Sequence, residues 1–378
     1  METTDLTMFL VVKSEHGEHV HGLLKNEGWL EAEVETRRSD DGTVGFPLAS
    51  LCPVEGVINW LNSTSSLKGV VEMHQGVRRP TVDPHRRLHK AIQTWLDENG
   101  LALEAITLAP AKWEKLGDLA LLPRQVSTTE AWKTARSHEH AESLWGVMAA
   151  ALNVRAIGVQ APIADDTFRS SQVEMLLGSS EVCFTDHGMT YTFDAAKVMF
   201  SSGNITERRR IGHLDMSGEV VVDAYAGVGY YTFPMLVHAG AAHVHACEIN
   251  PASLAGLKAG AEANGIRHQM TVHEGDNTVS LASLQGIADR CHLGLLPSSE
   301  AVWEASLLAL KPTGGILHIH MNVEEENIDD WVKDTVVRFE QMSHNHQRGF
   351  KAEVIHLERV KWFAPRVRHV VLDLSLRP

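Results

Sequence analysis

The sequence predicts an α/β protein: a doubly wound, mainly parallel sheet in the C-terminal half, preceded by an α+β domain. Three observations predict it. From about residue 219, short β-branched runs alternate with helical segments. A glycine-rich turn, "DAYAGVGYYTFP" at 223–234, follows the apolar run "EVVV" and leads into a helix. The last two apolar runs are joined only by "WFAPRVR", too short for a parallel crossover, so they pair as an antiparallel hairpin.

Taken in order, residues 1–75 read as a small, acidic, separately packed element. Residues 76–200 form the α+β domain: a helix over 84–100, strands at 118–122 and 154–160, and a run of short strands over 173–200. Residues 201–378 form the sheet domain, with strands at 219–225, 243–250, 270–277, 289–296 and 314–322. Ile328, Trp331, Val332, Val336 and Phe339 then recur at the spacing of one buried helix face. Strands at 351–361 and 369–376 close the chain. Five parallel strands ending in a hairpin fit the seven-stranded sheet of the class I methyltransferase-like, Rossmann-type fold better than a dehydrogenase sheet.

Bulk composition narrows the function classes. At 378 residues the chain is long enough for two or three domains. No window approaches the roughly 18 uninterrupted apolar residues a membrane span needs, so no membrane partner is expected. The start carries acids where a signal peptide carries bases, and Cys52, Cys183, Cys247 and Cys291 lie far apart. A cytoplasmic protein with reduced thiols is expected. The net charge is −14, but residues 1–60 hold 11 acids and 4 bases, half of that excess. Local basic clusters elsewhere can therefore still meet RNA: Arg78, Arg79, Arg86, Arg87 and Lys90; Arg208, Arg209 and Arg210; and Lys351, Lys361, Arg366 and Arg368. Each cluster can equally be a solvated face.

The turn carries the chemistry. Gly227 and Gly229 let backbone N–H groups approach a ligand, while Thr232 stands where a dinucleotide fingerprint has its third glycine, and Asp223 precedes the turn. A carboxylate repels a pyrophosphate but tolerates the sulfonium and amino group of S-adenosylmethionine. A dinucleotide site and a purely structural turn remain alternatives. Glu248 ends the second strand, where an acid accepts both ribose hydroxyls; Asp276 and Asn277 end the third, beside an adenine edge or simply in a turn. In "FSSGNITERRR", Asn204 and Glu207 have the spacing of a capping box, and Arg208 suits a carboxylate such as the methionine end of the cofactor. The paired histidines at 138–140, 318–320 and 344–346 lack converging cysteines or acids, so no metal is expected.

With "MFSSGNITERRR", "DAYAGVGYYTFPMLVHAGAAHVHACEINP", "GDN", "LGLLPSSE", "GGILHIHMNV" and "APRVRHVVLDL" in this order, residues 80–378 resemble the tRNA wybutosine-synthesising aminocarboxypropyltransferases. These are similar to the tRNA guanine-37 N1-methyltransferases, which carry an arginine where this chain has Gly203 and an asparagine where it has Gly294. The resemblance implies S-adenosylmethionine as co-substrate, no metal, and transfer of its 3-amino-3-carboxypropyl group to C7 of 4-demethylwyosine at position 37 of tRNA(Phe). It also implies an anticodon-loop partner, with no obligatory protein partner inferred. Ser201, Arg208, Glu248, Asp276 and Asn277 match family cofactor contacts, and Glu207 matches the base of the methyltransferases. A guanine-37 methyltransferase and a non-catalytic cofactor- or tRNA-binding protein are the competing readings.

Overall fold

The structure, a computed structural model, describes residues 6–31, 33–50, 52–63, 68–77, 83–161, 168, 170–200 and 202–378. The chain divides into two compact units, Met1–Arg86 and Arg87–Pro378.

In the first unit, β1 (Leu6–Lys13) lies between β3 (Thr43–Pro47) and β4 (Gly69–Gln75), with β2 (Arg37–Arg38) on the edge; all pairs are antiparallel. Helices α1 (Gly17–Asn26) and α2 (Val54–Ser63) bury Val20, Leu24, Val57 and Leu61 against Leu10, Val12, Val44 and Phe46. The acidic surface thus surrounds a core of its own.

The second unit begins within α3 (Pro84–Glu98), whose Leu88, Ile92, Trp95 and Leu96 form one buried stripe. That stripe and α4 (Ala141–Leu152) cover a sheet made of β5 (Glu114–Leu116), β6 (Leu119–Leu122), β7 (Ala156–Val159) and β8 (Glu174–Leu177), in that order. The pair β9 (Glu181–Asp186) and β10 (Met189–Asp194) follows as an antiparallel hairpin.

After α5 (Ile205–Gly212) comes the main sheet. Its strands are β11 (Val220–Asp223), β12 (His243–Glu248), β13 (Met270–Glu274), β14 (Arg290–Leu293), β15 (Gly315–Glu324), β16 (Lys351–Ala364) and β17 (Val367–Arg377). They lie in the order β13-β12-β11-β14-β15-β17-β16; β11 to β15 run parallel and β17 antiparallel to its two neighbours. The expected hairpin is therefore the edge of the sheet. Successive side chains alternate between faces: Val221, Val244 and Ala246 enter one core, and Val222, Cys247 and Cys291 the other. The first core is shared with Tyr191, Phe193 and Phe200, so the hairpin β9–β10 is welded to the main sheet. Fully burying a side chain such as Phe233 or Phe339 contributes about 1.5–3 kcal/mol.

The strand order reverses between β11 and β14, and ligands of open α/β sheets bind beyond the strand ends at such a point. Here the chain leaves β11 through the glycine turn into α6 (Thr232–Val237). Gly227 and Gly229 have φ of 56° and 99°, and a Cβ at Gly229 would sit 2.4 Å from the Phe233 ring. Gly229→Ala is expected to destabilise the protein by about 2–3 kcal/mol, through left-handed strain and overpacking together. Urea unfolding checks this; an unchanged midpoint would mean that the turn tolerates a side chain.

Candidate active site

A cavity of about 460 Å³ lies at this crossover. Met199, Asn204, Arg208, Tyr225, Gly227, Glu248, Asp276, Asn277 and Gly294 are among its lining residues. The segment before β11, the turn after it, and the ends of β12, β13 and β14 thus converge on one space.

Glu248 is held by its own backbone surroundings. One carboxylate oxygen accepts from Gly227 N at 2.7 Å, the other from Ile249 N at 2.9 Å and Asn250 N at 2.7 Å. Burial pushes its carboxyl up from the usual range, while these three donors pull it down. A carboxylate offers about four lone-pair sites, so capacity remains for a hydroxyl donor. Asn250 caps α7 (Pro251–Ala263) through Ala252 N at 2.9 Å, with Pro251 at the first helical position. That cap fixes the chain directly after Glu248.

Asp276 caps α8 (Asn277–Ala282), accepting from Thr278 N at 2.8 Å and Thr278 Oγ1 at 2.7 Å. Asn277 Nδ2 donates to Ala224 O at 2.9 Å, tying the end of β13 to the end of β11. Both residues hold the turn together and also line the cavity.

Other expected residues stand behind the cavity wall. Asp223 is fully buried; its oxygens accept from Thr232 Oγ1 at 2.7 Å and Tyr225 N at 3.3 Å. The threonine that replaces a fingerprint glycine thus fastens the start of the turn. Gly229 packs on Phe233 and is not a lining residue. Ser201 lies outside the described residues.

The arginine run separates into three roles, because successive helical residues point about 100° apart. Arg208 is 2% exposed, reaches the cavity, donates to Asp186 Oδ2 at 2.8 Å and lies 5.0 Å from the Phe200 ring centroid. Arg209 is exposed and meets His187. Arg210 is drawn into the interior, donating to both oxygens of Glu207 at 2.8 Å and to Asp373 at 2.6 and 3.1 Å. Reading this cluster as three phosphate contacts is thereby corrected: Arg208 is engaged with the partly buried Asp186, and Arg210 with the buried Glu207 and Asp373. The capping box is not formed either, since the Asn204 side chain makes no capping bond and Glu207 turns to Arg210.

Glu207 is fully buried and is not among the lining residues. Burial raises its carboxyl above the ordinary value, against the downward pull of Arg210. Asp373 is held below its range by His318 and Arg210, against the opposing effect of burial. From Asp373 the chain of contacts continues to His318 at 2.6 Å, to Arg290 at 3.0 Å and to Glu219 at 2.7 and 2.9 Å. A second chain links His369 to His320 at 3.0 Å and His320 to His292 at 3.1 Å. Thus the "HIH" pair serves two buried hydrogen-bond networks. Asp186, Phe200, Asp373, His369 and the lining residues Ile249 and Leu295 escaped sequence reasoning. For the first four no local signal exists, because each is defined by a partner from another element.

A seven-stranded sheet with this reversal, and a nucleoside-sized cavity at the ends of its parallel strands, defines the class I methyltransferase-like fold. Residues 182–351 match the TRM5/TYW2 methyltransferase domain and residues 92–181 the TYW2 N-terminal domain. The tRNA wybutosine-synthesizing protein 2 homolog of Danio rerio is 35% identical, over 99% of this chain and 100% of its own length. The tRNA wybutosine-synthesizing protein 2/3/4 of Arabidopsis thaliana is 32% identical over 95% of this chain, which spans only 35% of that longer protein. Among solved structures, P. horikoshii TYW2 in complex with MeSAdo superposes with a TM-score of 0.62 at 26% identity, covering 78% of this chain and 99% of that one. The chain belongs to the tRNA wybutosine-synthesizing protein 2 family.

Two predictions follow from the buried networks. Glu207→Gln leaves Arg210 half-paired and is expected to cost about 1–3 kcal/mol of stability in urea unfolding. Unchanged stability with lost turnover would instead make Glu207 the proton acceptor. The second concerns acid. Burial pushes His318 and His369 down to about 4 and His320 well below its ordinary value. Asp373 opposes this at His318; Arg290 and His292 reinforce it at His318, Arg210, His292, His318 and His369 at His320, and Lys361 and His292 at His369. The unfolded chain binds protons below about pH 6.5 that the folded chain refuses, so stability falls from there towards pH 4, by up to about 1.4 kcal/mol per unit for each histidine. Unfolding midpoints at pH 7.5 and 5.5 check this; equal midpoints would contradict it.

Proposed function

We propose that this chain transfers the 3-amino-3-carboxypropyl group of S-adenosylmethionine to C7 of 4-demethylwyosine at position 37 of tRNA(Phe), releasing methylthioadenosine. The supporting observation is that Arg208 lines the same cavity as Glu248, Asp276 and Asn277. A nucleoside held by the strand-end residues places its amino-acid tail within the reach of a guanidinium, a fork suited to carboxylates. No metal is required, because a sulfonium is already a good leaving group.

The residues fit the co-substrate chemically. Glu248 offers a preorganised carboxylate to hydroxyl donors, and Tyr225, Ile249 and Leu295 supply apolar surface for a purine. The bound sulfonium supplies three carbons activated toward displacement, and orientation decides which one reacts. Arg208, held by Asp186 and backed by Phe200, fixes the tail in a single pose. Gly294 adds no side chain to the cavity. Transfer joins C7 to the methionine γ-carbon, leaves the C–S electron pair on sulfur and releases the C7 proton.

In this reading residues 201–378 are the catalytic domain, 76–200 the domain that meets tRNA, and 1–75 an acidic element with its own packing. The exposed Arg86, Arg87 and Lys90 are the phosphate contacts on the RNA side; Arg78 and Arg79 lie outside the described residues. Among the described residues no helix is long and apolar enough to cross a membrane, and a cytoplasmic location suits a tRNA-modifying activity. With substrate tRNA, the coproduct is expected to be methylthioadenosine, and Arg208→Ala is expected to lower turnover by about 100-fold or more, well beyond its effect on cofactor affinity. Chromatography of the nucleoside products tests both. S-adenosylhomocysteine as coproduct would establish the methyltransferase reading, and no coproduct at all the binding-only one.

A further inference from the structure

A second cavity, of about 320 Å³, shares Val198 and Met199 with the first. Its walls mix apolar side chains, among them Leu116, Leu121, Val173 and Phe200, with the polar Glu114, Gln160, Ser171 and Lys361. Two of these polar groups carry opposite charge. One is Glu114 on β5: its Oε2 accepts from Gln160 Nε2 at 2.9 Å, while its Oε1 is buried with no hydrogen-bond partner among the described residues. The other is Lys361 near the end of β16, whose ammonium lies 2.7 Å from where a Cβ on Gly203 would stand. The missing side chain at 203 is therefore what admits the lysine.

The pairing constrains the occupant. A carboxylate oxygen only accepts hydrogen bonds and an ammonium only donates them, and burying either without a partner is costly. Burial holds the Lys361 ammonium below the usual lysine range, with Arg208 acting in the same direction and Glu114 in the opposite one. A flat heterocycle that carries both an N–H donor and a carbonyl or ring-nitrogen acceptor satisfies both groups at once. A purine-derived base that keeps a ring N–H and a carbonyl has those features, and its volume suits the space. A base embedded in a stacked loop reaches such a pocket only when it is turned out of the stack.

We infer that the second cavity receives the extruded acceptor base, with Glu114 accepting from its N–H edge, Lys361 donating to its acceptor atom, and the shared Val198–Met199 wall bringing it against the co-substrate. This inference rests on the reading of the first cavity as the S-adenosylmethionine site.

The test uses the full chain and two probes: tRNA(Phe) bearing the tricyclic base at position 37, and the same tRNA with an abasic site there. The wild type is expected to bind the first about tenfold more tightly, the scale of two charge-assisted hydrogen bonds partly offset by desolvation. Glu114→Gln and Lys361→Met are each expected to erase most of that preference, leaving affinity for the abasic tRNA and for S-adenosylmethionine within about twofold of wild type. Thermal unfolding confirms that each variant is folded, and should one fail, the other carries the test. Preference retained in a folded variant overturns the inference. So does a parallel loss of S-adenosylmethionine affinity, which would assign the cavity to the co-substrate. A wild type that releases S-adenosylhomocysteine defeats the transfer reading but not the base site; methylthioadenosine release with preference unaltered in the variants defeats only the base site.

Discussion

The double grip of Arg210 on Glu207 and Asp373 is the interaction on which the site depends. It anchors α5, the helix that also carries Arg208, to β17. Through Asp373, His318, Arg290 and Glu219 the same network crosses β15 and β14 and ends beside β11. Desolvating these charges is costly, and the cost is offset only while every partner is in place. The helix therefore has one position relative to the sheet. A neutral, apolar interface would hold it as strongly but would tolerate sliding; that the network is retained for positional specificity is the hypothesis this geometry supports.

The cavity inherits that precision. Arg208 lies two residues before the anchor, so its guanidinium meets Asp186 and Phe200 from a fixed backbone. On the opposite side Glu248 is clamped by three backbone donors, and the Asp276 cap and the Asn277 bond to Ala224 join the neighbouring strand ends. Polar groups held in this way lose little freedom when a ligand arrives, which is how preorganisation converts contacts into affinity and orientation.

Much of this was legible in the sequence, and the limits are physical. The parallel strands declare themselves because both faces are buried and each run is short, apolar and β-branched. The edge hairpin follows from the length of its connection, and Gly227, Glu248, Asp276 and Asn277 from strand-end position. Arg210 could not be assigned that way, because its partner Asp373 lies 163 residues away and "RRR" alone does not say which side chain turns inward. Asp223 read as a ligand contact because only the fold shows Thr232 covering it. The N-terminal sheet was missed for a similar reason: β1 and β4 pair across a long stretch that includes both helices, and neither run shows strict alternation.

The central claim is that the cavity presents the methionine γ-carbon, and not the methyl group, to an incoming base. The most direct measurement is a crystal structure of this chain with intact S-adenosylmethionine. The account predicts the ribose hydroxyls on Glu248, the methionine carboxylate within hydrogen-bond distance of Arg208, and the γ-carbon facing the wall formed by Val198 and Met199. A methyl group pointing at that wall, with the carboxylate remote from Arg208, would contradict it.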